Sequence, residues 1–413
     1  VVTGANVPSG PQKYYLASSV GVIEDMRHPV SDGLNEPGFQ SGSIFTETTM
    51  SSGGDHLCAI LDDSSLQCWG DNSFGQLGDG TTTDRLTMTE VGLNAARTAV
   101  SISSGKDHTC SILDNGDLQC WGRNNHGQLG DGTSVHSNSP VDVSLSGVPV
   151  QLSSGDWHSC AILEDASLQC WGKNDQGQLG DGTNVDSSTP VSISVGENVL
   201  AVSTGSSHTC VVTDSWALKC WGDNSNGQLG IGTTSSSNSP STVTVGGNAV
   251  AVSAGGTHTC ALLDGNNLKC WGDNSNGQLG DGGTNQQNDA ATVGFSLTGV
   301  ISIDSGDSHT CAVDSSHSLH CWGGSANGQV GDGSTSDQIT LPTEIPLGQN
   351  LGTLSVSSGS SYTCVVGSND LAMCWGGQGS GALSLGTSPS EFTIPMWSYI
   401  SSSERDWNDN GDM

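Results

Sequence analysis

Apolar residues along this chain come in short bursts separated by polar turns, and the bursts recur with nearly the same spelling. HTCSIL is followed by the turn Asp114, Asn115, Gly116 and then by LQCWG; HSCAIL, HTCVVT and HTCALL open the same arrangement further on. A strand-length apolar run, a turn rich in Asp, Asn, Gly and Ser, and a second run predict a β-hairpin. Between hairpins the chain alternates β-branched and polar residues, as over residues 141–145, 191–195 and 243–245, which predicts a third strand. A fourth, such as residues 199–203 or 249–253, leads into the next hairpin.

This unit repeats. Copies begin at Ser103, Ser153, Ser203 and Ser253, an earlier one at Ser51, and two looser ones at Asp304 and Ser357. Seven copies of four short strands, spaced by about fifty residues, match the blades of a propeller better than the units of a solenoid. The expected fold is therefore all-β: a seven-bladed β-propeller with four-stranded antiparallel blades. It divides the chain into an extended N-terminal arm (1–42), the propeller (43–397) and an acidic C-terminal tail (398–413). Apolar strands over residues 44–50 and 392–400 are expected to close the ring by pairing within one blade.

The fourteen cysteines fall into seven pairs, each with nine residues between partners. The pairs are Cys58 with Cys68, Cys110 with Cys120, Cys160 with Cys170, Cys210 with Cys220, Cys260 with Cys270, Cys311 with Cys321, and Cys364 with Cys374. A three-residue loop at 114–116 pairs Ile112 with Leu118, Ser111 with Gln119, and so Cys110 with Cys120. Directly opposed residues in an antiparallel pair come within disulfide range, and seven dispersed pairs do not assemble a zinc site. One intra-hairpin disulfide per blade is expected. It places the chain in an oxidising compartment, extracellular or at the cell surface.

Composition sharpens this. With 10 Lys+Arg against 42 Asp+Glu, the net charge of −32 repels phosphate backbones and anionic lipids, so nucleic acid is excluded as a partner. No apolar run is long enough for a spanning helix, so membrane insertion is not expected. The start lacks both an initiator Met and a basic, apolar leader, which is read as a removed leader or a fragment of a longer precursor. The absence of any Asn-x-Ser/Thr sequon leans towards a prokaryotic source.

The tract WGDNSNGQLGDGT, preceded by SxGxxHT, resembles the regulator-of-chromosome-condensation repeat over roughly residues 51–387. That resemblance implies a seven-bladed propeller and says far less about function. The family's nuclear nucleotide-exchange role fits poorly with an acidic, disulfide-paired chain. Its plant ultraviolet photoreceptors carry a recurring Gly-Trp-Arg-His-Thr motif, where this chain reads GKDHT, GDWHS and GSSHT. The secreted β-lactamase inhibitors with this fold offer no contact residues that map here.

Among repeated residues, His56, His108, His158, His208, His258 and His309, with Tyr362 in the seventh copy, are expected to bond within their own blades. Trp69, Trp121, Trp171, Trp221, Trp271, Trp322 and Trp375 are expected to pack between blades. Asp79, Asp131, Asp181, Asp281 and Asp332 read as turn residues. Trp157, Trp216, Trp397 and Trp407 are not demanded by the repeat and are candidates for contacts. At the C-terminus Asp406, Asn408, Asn410 and Asp412 alternate like the first half of a calcium loop, making calcium the one cofactor suggested. In the arm, Tyr14, Tyr15, Leu16, Val20, Val22 and Ile23 are candidates for adding a strand to a neighbouring copy.

No nucleophile elbow, phosphate loop or HExxH motif is present, and no catalytic residue is assigned. The expected function is that of a non-enzymatic extracellular structural or interaction protein, with copies of itself as partners in a surface filament. The alternative is a secreted module binding a protein or glycan, which requires exposed aromatic residues on one propeller face. A polysaccharide-acting enzyme requires perturbed acids around an axial pocket.

Overall fold

The computed structural model describes residues 49–398, apart from residues 62, 95–96, 266, 294–296, 298, 348–351, 369–371 and 378–390. Its first blade is the meander β1 (Thr49–Ser52), β2 (His56–Ile60), β3 (Leu66–Gly70) and β4 (Arg85–Glu90). The second is β5 (Ala99–Ser104), β6 (His108–Leu113), β7 (Leu118–Gly122) and β8 (Ser137–Val143). Five further antiparallel four-stranded sheets follow over residues 149–193, 199–243, 249–292, 300–344 and 353–398. First strands of successive blades touch one another, β1 with β5 and onwards, and β1 also touches Thr353–Ser358 of the seventh blade. They therefore surround the axis, and the fourth strands lie outermost.

Each hairpin has the register read from its turn. Cys110 opposes Cys120, Ser111 opposes Gln119 and Ile112 opposes Leu118. All seven disulfides form as paired, with Cα–Cα distances of 4.0–4.1 Å. Each closes a loop worth roughly 2–3 kcal/mol by the chain-entropy argument.

The alternation of side chains decides how blades stack. In β2, Cys58 and Ile60 face the second blade, while Leu57 and Ala59 face the seventh. The result is seven apolar clusters, one per interface, each joining the disulfide of one blade to the Trp of the next. Cys58 and Cys68 cluster with Trp121, Cys110 and Cys120 with Trp171, and the last pair, Cys364 and Cys374, with Trp69. The indole N–H of Trp121 donates to the carbonyl of Gln76 in the preceding blade at 2.8 Å, and the same bond recurs for Trp171, Trp221, Trp271, Trp322 and Trp375. The GQLG loops are braced from within: Asn72 Oδ1 accepts the Leu77 N–H while its Nδ2 donates to the carbonyls of Thr81 and Thr83.

Ring closure differs from the expectation. The strand Glu391–Ser398 pairs with Ala372–Gly377 in the seventh blade, and β1 pairs with β2 in the first, so among the described residues no blade is shared between the two ends. The seam is closed by contacts of two kinds, one that repeats a bond of other interfaces and one particular to this pair of blades. Ser52 N donates to Ser357 Oγ at 2.9 Å, and Tyr362 Oη donates to the His56 carbonyl at 2.5 Å. Seven complete meanders leave each blade no missing strand to borrow. The arm (1–42) and residues 399–413 lie outside the described residues.

Candidate functional site

At one mouth of the axis, the Ser-Gly turns that join first and second strands enclose a cavity of about 70 Å³. Each Gly there is required by a close approach. A Cβ on Gly155 would lie 2.2 Å from the Gly205 carbonyl and 2.8 Å from the His158 ring. Only backbone fits between the imidazole and the neighbouring blade, which explains the SxGxxH spelling of the repeat.

The six histidines do not bond within their own blades. His56 Nε2 meets Thr109 Oγ1 of the second blade at 2.8 Å, and His108, His158, His208, His258 and His309 reach the Thr or Ser of the next blade in the same way. Thr109 spends its single proton on the Gln76 carbonyl at 3.0 Å, so it accepts from His56, fixing the Nε2–H tautomer. Nδ1 of every one of these rings is buried without a hydrogen-bond partner. Burial pushes their pKa values down to about 3 or 4. They join blades, and their spacing around the ring brings no two to a common ligand.

The residues between that Gly and His form the rim of the cavity. Lys106, Asp156 and Asp307 line it. Lys106 Nζ stands 3.8 Å from Asp156, whose carboxyl is nevertheless raised to about 6 by burial first and by Asp307 second. Burial also raises Asp55 and Asp107, with neighbouring carboxylates adding to it. Such acids meet part of the requirement for an axial active site, but the cavity is several-fold smaller than the roughly 300 Å³ lower bound of small-molecule pockets. It accommodates water or one side chain, not a sugar ring.

Beside this rim three blades contribute one stack. Arg123 places its guanidinium carbon 4.5 Å from the Phe74 ring and 4.3 Å from the Trp157 ring, and its Nη1 bonds Asp107 at 3.0 Å. Lys106 Nζ lies 5.9 Å from Trp157, and His126 meets the same ring edge-on at 6.1 Å. Phe74 in turn meets His136 edge-on at 5.4 Å. A guanidinium held between two rings and tied to a carboxylate is pre-ordered, so a partner that docks on it loses little further side-chain entropy.

Trp157 was legible as a residue that the repeat does not demand; Arg123 and Phe74 were not singled out. Their signal was present: Arg123 stands where other copies have Asp71, Lys173 or Asp223, and Phe74 where they have Gln176, Asn226 or Asn276. Trp216 occupies a left-handed turn (φ 62°) and packs partly buried against the apolar clusters on both sides of the fifth blade. The Trp397 side chain and Trp407 lie outside the described residues, as do Asp406, Asn408, Asn410 and Asp412 and the arm residues Tyr14, Tyr15, Leu16, Val20, Val22 and Ile23. Among the repeated aspartates, Asp79 accepts from Thr81 N at 2.9 Å and Asn72 Nδ2 at 3.2 Å, and Asp131 and Asp181 make the same turn. Among the described residues, no three His, Cys, Asp or Glu side chains gather to hold a metal ion.

Comparison with known proteins agrees with this architecture. The RCC1-like domain model matches residues 139–401, and regulator of chromosome condensation (RCC1) repeat models match residues 48–76 and 99–128, and 64–112 and 115–162. The chain is similar to the ultraviolet-B receptor UVR8 of Arabidopsis thaliana, 34% identical over 99 residues, which is 24% of this chain and 22% of that protein. It is 31% identical over 99 residues to the mitochondrial RCC1 domain-containing protein RUG3 of the same plant, again 24% of this chain and 22% of the relative. The match thus spans about a fifth of these relatives' length. Among solved structures, human WBSCR16 superposes with a TM-score of 0.70 at 22% identity, covering 77% of this chain and 86% of that one. Yeast RCC1 (Prp20), solved bound to Kap60, gives 0.71 at 20% identity over 81% and 83%. At these identities the structures speak for the fold alone.

Proposed function

The chain belongs to the RCC1-like family of propellers, and from that premise we propose that it is a non-enzymatic interaction module, working outside the cytoplasm, that docks a protein partner on the face carrying Trp157. The observation that carries this reading is the Phe74–Arg123–Trp157 stack at the rim of the axis, built from three successive blades. Trp and Arg dominate binding energy at interfaces, and a rim of partly buried carboxylates favours a partner bearing basic groups. Seven disulfides support an oxidising setting. Yeast RCC1 bound to Kap60 gives a precedent for a protein partner on this fold.

Cross-linking mass spectrometry of the protein in its native milieu tests the proposal. Cross-links to the partner are expected to concentrate on residues near 106–107, 123 and 156–157, and to be lost in Trp157→Ala without a change in melting temperature. Cross-links spread over other faces, or unaffected by Trp157→Ala, contradict it.

Self-assembly through the terminal segments is a second reading, and the outer strands bear on it. Pro140, Pro190, Pro240, Pro342 and Pro395 interrupt five outer strands and block pairing with an added strand. Two outer strands, β4 and Gln287–Thr292, have no Pro, and β4 also presents Leu86 to solvent, so β4 is the edge that favours this reading. Electron microscopy of the full chain and of a variant lacking residues 1–42 separates the two: fibres that need the arm support self-assembly, and particles in both remove it.

A further inference from the structure

The Trp157 stack leaves the adjoining axial cavity without a use. The inner turns line that cavity, and its charged residues are Lys106, Asp156 and Asp307. Asp156 belongs to the third blade and Asp307 to the sixth, so they come from opposite walls of the ring. Asp156 is served by Lys106, whose Nζ lies 3.8 Å away, and by a hydrogen bond from the Ser206 side chain. Asp307 has no ion pair and no side-chain hydrogen bond among the described residues. Its charge nevertheless reaches Asp156 and, in the first blade, Asp55. Gly54 and Gly256, at the same turn position in the first and fifth blades, carry no side chain and take up no room in the mouth.

A second feature comes from the same two walls. Ser154 stands two residues before Asp156, and Ser305 two before Asp307; both line the cavity and are only 7% and 8% exposed. Neither hydroxyl has a hydrogen-bond partner, whereas Ser104 Oγ, at the same position of the second blade, donates to the Ser51 carbonyl at 3.1 Å. A buried hydroxyl is rarely left without a partner. Each wall thus offers a carboxylate and a hydroxyl oxygen as acceptors. The complementary guest is small, cationic and rich in N–H donors, which describes a primary ammonium: three donors on one compact charge. Among the described residues no three His, Cys, Asp or Glu side chains converge, which disfavours a metal ion. The volume of about 70 Å³ takes the end of one extended side chain.

We propose that the axial cavity receives the ammonium of one lysine side chain of the docked partner, held between the walls that carry Asp156 and Asp307. This rests on the Trp157 face being the docking surface. The two sites adjoin, because Lys106 Nζ lies 3.8 Å from Asp156 and 5.9 Å from the Trp157 ring. Lys106 balances the third-blade wall and leaves the sixth-blade carboxylate for the guest. An unbranched stem lets the partner's backbone stay on the rim while its charge reaches below.

Carbodiimide coupling of the full chain in its native milieu tests this, since it joins a carboxylate to an amine in contact with it. Peptide mass spectrometry is expected to find Asp307 joined to a lysine of the partner. A second measurement uses n-butylammonium as probe in calorimetric titrations. Lys106→Met, which removes the resident cation, is expected to tighten its binding by about threefold or more, and Asp307→Asn to weaken it by about as much. Unchanged melting temperatures check that both variants fold. Binding of n-butylammonium with no bond from Asp307 to a partner lysine overturns the proposal in favour of a free amine. Absence of both the bond and the binding overturns it outright. Failure of this proposal alone leaves the cross-links that Trp157→Ala removes; failure of the docking reading removes those cross-links as well.

Discussion

Tyr362 donates its hydroxyl to the backbone carbonyl of His56 across the seam between the seventh and first blades, at 2.5 Å. It stands where six other blades have His, and Leu57, in the same apolar cluster, stands where they have Thr or Ser. Both members of the inter-blade pair are thus replaced together at the one interface that joins the chain's two ends. A side chain that bonds to backbone needs no hydroxyl opposite it, and Leu57 instead supplies apolar contact for the larger ring.

The exchange is testable as a cycle. Tyr362→Phe is expected to lower stability by about 1–2 kcal/mol through the lost bond to a buried carbonyl. Tyr362→His alone sets an imidazole against Leu57 with no hydroxyl to accept its proton, and is expected to cost more. Adding Leu57→Thr is expected to restore part of that loss, a favourable coupling of about 1 kcal/mol or more in denaturant melts. Additive effects would show that the two positions do not communicate.

Acid is expected to open the ring. The six histidines have folded pKa values of about 3 or 4, below their ordinary value of 6.5, so the folded state binds fewer protons than the unfolded one between these limits. Their contribution is complete above pH 6.5 and is lost as pH falls from there towards 4. Protonation would place a second N–H, at Nδ1, where no acceptor exists. Melting temperature is expected to fall steeply from pH 6.5 to 4.5; a flat profile contradicts the buried neutral ring.

Asp304 works in the opposite direction. It replaces the Ser that in other blades accepts an N–H from the next inner strand, as Ser51 does from Ser104 and Ser103 from Ser154. Asp304 Oδ2 accepts from Ser358 N at 2.5 Å, its Oδ1 is buried without a partner, and burial raises its pKa to about 7. A raised carboxyl pKa favours folding below the unfolded value of 3.8, and that advantage is lost as pH rises through 7. Asp304→Ser is expected to raise the melting temperature above pH 7 and change little near pH 4. Equal effects at both ends contradict the assignment.

Gly155→Ala tests the close approach at the inner turns. The new methyl would meet the Gly205 carbonyl at 2.2 Å, a clash with backbone that no rotamer relieves. A loss of about 1–3 kcal/mol is expected by the measure of overpacked cores. Gly196→Ala, where a Cβ meets nothing within 4 Å, isolates the purely conformational cost of a positive φ.

Much of this fold was legible because local rules decide it. The turn at 114–116 fixes the hairpin register, the register opposes Cys110 and Cys120, and the same spelling recurs. The Trp positions followed from size and repetition. The histidine bonds were misread because imidazole reach is local but the choice of partner depends on blade stacking, which brings Thr109 of the second blade to 2.8 Å from His56. Closure was misread because strand pairing between the ends is one of two ways to seal a ring, and completeness of the seventh meander decides between them. Phe74, Arg123 and Trp157 are distant in sequence and sit at variable positions of separate repeats. They converge only when three blades stand side by side.

The stapled ring is tested most directly by mass spectrometry of proteolytic peptides from native, unreduced protein. The account predicts seven links, each within one hairpin, from Cys58–Cys68 to Cys364–Cys374, and no free thiol. Free cysteines, or links between different blades, would contradict both the hairpin register and the oxidising setting drawn from it.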